Sequence, residues 1–112
     1  MYWWWRSFCL NYRKSKLILT EQQELVRNTA RDFAIKYLEP GAIERDDKAK
    51  FPHQEVKMMG DLGFMGVMVP EKWNGAGMDT ISYSLIIEEI SRIDASAGVI
   101  VSVNNSLVCQ TL

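Results

Sequence analysis

The sequence predicts an all-α protein, an up-and-down helical bundle, and three observations carry that prediction. Apolar residues recur at three- and four-residue spacing in separate stretches. Each stretch opens on a residue suited to a helix start. Turn-forming clusters, Glu39-Pro40-Gly41 and Pro70 to Gly77, separate the stretches. With 112 residues the chain has room for one small domain.

The first helix opens at Thr20, where Thr20-Glu21-Gln22-Gln23 matches a capping box with Gln23 reaching back. Val26, Ala30, Phe33 and Tyr37 then form one apolar stripe, flanked by Leu25, Ala34 and Leu38, and Glu39-Pro40-Gly41 stops it. Ala42 to Lys50 is charged and reads as a short surface turn of helix. Phe51-Pro52 starts a second main helix, with Val56, Met59 and Leu62 on its buried side and Gly63 as C-cap. Phe64 to Val69 reads as an extended, buried link. Pro70 to Gly77 is a loop in which Asn74 and Gly75 tolerate left-handed backbone. Asp79 or Thr80 caps a third helix whose core face is Ile86, Ile90 and Ile93. Asp94 ends that helix and caps a fourth, Ala95 to about Leu107. Its small start and charge-free continuation imply burial all round.

Composition narrows the function classes. Hydrophobic residues are 47% and charged residues 24%, ordinary for a globular domain. The two cysteines, Cys9 and Cys109, are no disulfide framework and suit a reducing compartment. Of the net charge of −1, residues 1–19 contribute four positive charges (Arg6, Arg13, Lys14, Lys16) and no acid, which leaves −5 for the remainder. A domain so charged is unsuited to nucleic acid. The basic start fits a mitochondrial targeting segment, disordered sequence, or a membrane-interface anchor through Trp3, Trp4 and Trp5, the last being the weakest of the three.

Three segments, RDFAIKYLEPGA, FPHQEVKMMGDLGFMGVMVPEKWNGAGMD and SLIIEEISRIDASAGVIVSVNNSL, together resemble the N-terminal domain of acyl-CoA dehydrogenases, and the last resembles the short-chain, butyryl-CoA members. Asn74 stands where the family's loop has its first Gly. The resemblance implies an FAD-dependent enzyme that oxidises short-chain acyl-CoA to trans-2-enoyl-CoA in fatty-acid or branched-chain amino-acid breakdown. It implies a homotetramer in the mitochondrial matrix that passes electrons to an electron-transfer flavoprotein. Residues 20–112 would be the helical domain, incomplete at its C-terminal end, and residues 1–19 the basic leader. The flavin segment and the catalytic Glu fall in other domains, so these residues alone are expected to hold no FAD and to lack activity. What carries over is the acyl-pocket wall: Val99, Ile100, Val103, Asn104 and Leu107, with Ile100 and Val103 shortening the cavity. After Leu107 the chain departs from the family, which points to a splice product, a gene-model fragment or a truncated record. The alternative function is a non-catalytic helical fragment that binds subunits of the full-length enzyme or is degraded.

Each feature also has a plainer explanation. Glu88 and Glu89 diverge by about 100° around a helix, so they are structural or exposed. His53 is exposed surface, the methionines fill core gaps, and Gly75-Ala76-Gly77 lacks the βαβ setting of a phosphate cradle. Trp73 is a pocket or interface element or packs beneath its own loop. Val99, Ile100, Val103 and Leu107 would by pattern alone be bundle core. Asn104, as a buried amide, needs partners, from a thioester ligand or another domain.

Overall fold

Local chemistry fixes where the helices begin. In the computed structural model, which describes residues 18–111, helix α1 spans Glu21–Phe33 behind the expected capping box. The Gln23 backbone N–H donates to Thr20 Oγ1 at 3.3 Å, and the Thr20 N–H donates to Gln23 Oε1 at 3.0 Å. Nearly all of the basic leader, with Cys9 and the three adjacent tryptophans, lies outside the described residues.

Val26, Ala30 and Phe33 are buried as the stripe predicts, but the stripe then changes phase. Ala34–Leu38 is a π-helical segment, whose wider turn moves the inward face on by about one residue. Ala34 and Leu38 become fully buried, while Tyr37 is 39% exposed. Glu39-Pro40-Gly41 does not stop the helix either. It forms a 3-10 turn, in whose first turn Pro40 needs no N–H, and leads directly into α2, Ala42–Asp47.

Helix α3 spans His53–Asp61, with Pro52 in the capping position and Met59 fully buried. Leu62, predicted inside, is exposed because the helix ends there and Gly63 turns the chain left-handed at φ +81°. The link after it is not extended. Phe64–Gly66 is a 3-10 turn, although Phe64 and Val67 are buried as its apolarity requires. A run this short has no period by which a turn and a strand could be told apart.

Glu71–Trp73 forms another 3-10 turn, and Asn74 takes the left-handed backbone foreseen for it, φ +61°. Gly75 does not. Its reason for being Gly is steric, since a Cβ there would run into the Val69 backbone. The left-handed glycine is Gly77, also at φ +61°.

Helix α4, Thr80–Ile93, is capped by Asp79, whose Oδ1 accepts from the Ser82 N–H at 2.8 Å. Ile86 and Ile90 are fully buried and Ile93 is half-buried against them. Asp94 breaks the helix with extended backbone (φ −141°, ψ 99°) and caps α5, Ala95–Val103, which a π-helical turn, Asn104–Cys109, prolongs. Helices α1 and α4 run parallel, linked by Gln23 to Asp79 at one end and Arg31 to Glu89 further along. Helix α5 turns back against α4, bringing Ser102 to Tyr83. Every regular element among the described residues is helical, so the chain is all-α.

Arg45 is what pattern reading missed on the charged surface turn. It is largely buried and donates from Nη2 to the Leu38 carbonyl (2.7 Å) and to Asp94 Oδ2 (2.8 Å), with Glu55 at 3.3 Å from Nη1. It thereby ties α2 to the corner between α4 and α5.

Candidate functional site

Helix α5 owes its position to a contact only glycine permits. Gly98 lies against Ser91 of α4 so closely that any Cβ would collide with that side chain. Small residues at the start of α5 therefore set a short distance between the two helices. Ala97 and Val101 are fully buried on the same side.

The opposite side of α5 is open, which corrects the expectation of burial all round. Val99, Val103 and Leu107 follow one another at four-residue spacing and are 60%, 43% and 63% exposed. Ile100 and Asn104 sit beside that ladder, half-buried. The absence of charge did signal burial, but the described residues supply a neighbour on one side only.

Two adjacent asparagines anchor this segment to the 3-10 turn that follows α3. Asn104 Nδ2 donates to the Met65 carbonyl, so its amide has a partner within the chain itself. Asn105 is more deeply placed. Its Oδ1 accepts from the Val67 N–H at 2.8 Å, and its Nδ2 donates to the carbonyls of Phe64 and Val101, both at 2.9 Å. Asn105 was not singled out from sequence, although four-residue spacing from buried Val101 placed it on the same inward face.

Between this segment and the Met68–Trp73 stretch lies a groove of about 640 Å³, to which Asn105, Cys109 and Gln110 contribute but none of the five wall residues does.

The charged groups are committed elsewhere. Burial pushes the Glu89 carboxyl up, yet paired bonds from Arg31 (2.7 and 3.1 Å), with Arg92 and Arg27 near, hold it below its ordinary value. Hydrogen bonding and charge from Glu89 in turn raise Arg31. Burial likewise opposes Asp94, but the Ser96 hydroxyl, Arg45 and the Ala97 N–H outweigh it, and its pKa falls. The Ser82 N–H and hydroxyl, with Gln23, lower Asp79. Glu88 is exposed and Glu89 locked, so the adjacent acids form no catalytic pair. His53 is exposed, stacked edge-on at 4.8 Å from Phe51. Among the described residues no cluster of three His, Cys, Asp or Glu could hold a metal, and no helix is long and apolar enough to cross a membrane.

The glycine loop offers no phosphate cradle. Its backbone N–H groups are spent internally: Gly75 to Pro70 O (3.3 Å), Ala76 to Gly66 O (3.0 Å), Gly77 to Val69 O (2.9 Å) and Met78 to Val67 O (2.8 Å). The described residues thus provide apolar surface and no reactive group.

Comparison with known proteins agrees with that division. Residues 20–112 match the acyl-CoA dehydrogenase N-terminal domain. The short-chain specific acyl-CoA dehydrogenase of Bos taurus mitochondria is 49% identical over 105 residues, 94% of this chain and 25% of that protein. Butyryl-CoA dehydrogenase from Megasphaera elsdenii superposes with TM-score 0.72 at 32% identity, covering 78% of this chain and 24% of its own. A chain from a structure described as an electron transferring flavoprotein of Acidaminococcus fermentans gives TM-score 0.78 at 38% identity, covering 82% and 24%. The chain therefore spans about a quarter of the length of the relatives it matches.

Proposed function

Because this chain belongs to the acyl-CoA dehydrogenase family, through that family's N-terminal domain, we propose that it is part of an enzyme oxidising short-chain acyl-CoA to trans-2-enoyl-CoA. The observation that carries the reading is the exposed apolar ladder Val99, Val103 and Leu107, flanked by Ile100 and Asn104, on the helix matched to the family. These residues would form one wall of the acyl pocket, exclude water from the tail and limit its length through the bulk of Ile100 and Val103. Each methylene covered contributes about 0.8 kcal/mol, so a short tail gains little from apolar contact, and steric closure decides which chains enter.

FAD does not fit the described residues, whose loop amides are all engaged. The cofactor and the base that removes the α-proton would come from other parts of the enzyme. Fatty-acid or branched-chain amino-acid breakdown, a homotetramer and electron transfer to a flavoprotein complete the proposal. So does a mitochondrial matrix location, supported by the acid-free basic stretch 1–19 and the mitochondrial relative, with residues 20–112 as the domain itself.

Sequencing the transcript beyond the Leu112 codon tests this. A flavin-binding β-domain followed by a helical domain with the catalytic Glu is expected. An immediate stop codon would favour a second reading, which the same uncovered face supports: a non-catalytic chain that binds subunits of the full-length enzyme.

A further inference from the structure

The groove beside the Met68–Trp73 stretch lies apart from the wall assigned above, and its volume of about 640 Å³ is within the range of small-molecule sites. Met68, Val69 and Pro70 make it apolar, and the fully buried Asn105 marks its inner side. At its outer side stand Trp73, 71% exposed, and Lys72, whose Nζ lies 5.6 Å from the Trp73 ring. Among the described residues Lys72 pairs with no carboxylate. Gln110 adds an amide donor whose only bond among the described residues is to the Met68 thioether at 3.9 Å, a weak acceptor.

We propose that this groove binds a medium-chain carboxylate, its tail along Met68, Val69, Pro70 and the Trp73 ring, its head group at Lys72 and Gln110. One unpaired cation suits a single negative charge, and the apolar floor suits an unbranched tail. The assignment is independent of the acyl wall, since Val99, Val103 and Leu107 take no part in the groove.

Titration of the isotope-labelled 112-residue chain with octanoate, followed by NMR, tests it. Saturable shifts are expected at the Trp73 indole N–H, Lys72 and Gln110. Lys72→Gln should weaken octanoate binding about three- to fivefold, the scale of an exposed ion pair, and octan-1-ol should bind more weakly by a similar factor. Gln110→Trp, with unchanged helical circular dichroism, should fill the groove and abolish binding. Absence of saturable shifts, equal binding of octanol and octanoate, or shifts confined to Val99, Val103 and Leu107 would each overturn the proposal. The last outcome would leave the acyl-wall reading standing.

Discussion

Asn104 and Asn105 are chemically the same side chain one position apart, and the backbone gives them different roles. Asn104 makes one bond to a turn carbonyl, while Asn105 makes three and is fully buried. Family resemblance drew notice to the first. The inward position of the second followed from its spacing to Val101, but its partners did not, since the Phe64–Val67 backbone that meets it is 38 to 41 residues away in sequence. Asn105→Ala would leave the Val67 N–H and the Phe64 carbonyl buried without partners. A loss of about 3 kcal/mol is expected, against less than about 1 kcal/mol for Gln110→Ala at the exposed groove edge, both measured by urea denaturation.

At the scale of elements, what was legible was local. Thr20, Asp79 and Asp94 were each read as caps, and each accepts a hydrogen bond from its helix's first turn. Caps are chemistry between residues two or three apart, so sequence carries them in full. The phase of the apolar stripe past Phe33 was not legible, because only packing against the rest of the bundle selects Leu38 over Tyr37 for the core. Nor was the engagement of Arg45, whose partners come from three other elements. Asp94 both caps α5 and receives Arg45, which gives the corner a pH dependence. Its folded pKa lies below the ordinary 3.8, so its contribution is present above that value and lost as pH falls through the folded pKa. Glu89, lowered from 4.5, acts in the same direction. Stability should therefore decline below about pH 4, and Asp94→Asn should flatten the decline while lowering stability at neutral pH. Thermal melts from pH 2 to 7 would check both.

For the whole molecule, the class of fold could be read from periodicity and the family from three ordered segments. Which side of α5 stays open could not, because a charge-free helix does not announce how many neighbours it has. Val99, Val103 and Leu107, with Val108 beside them, leave a continuous apolar strip in water. The 112-residue chain is accordingly expected to bind a hydrophobic dye and to self-associate. Val103→Lys should reduce both without lowering the melting temperature, whereas unchanged dye binding would mean that the strip is covered. The same preparation, mixed with FAD and butyryl-CoA, should remain colourless after gel filtration.

The loop beyond Pro70 carries a chemical clock. Asn74 followed by Gly75 is the dipeptide most prone to close into a succinimide, a reaction in which the Gly75 nitrogen attacks the Asn74 side-chain carbon. In the folded chain that nitrogen donates to the Pro70 carbonyl, and Gly75 is pressed against the Val69 backbone. Ring closure must wait for the loop to open. Ageing at this one bond, followed as isoaspartate in peptide maps, would thus record how often the loop comes undone.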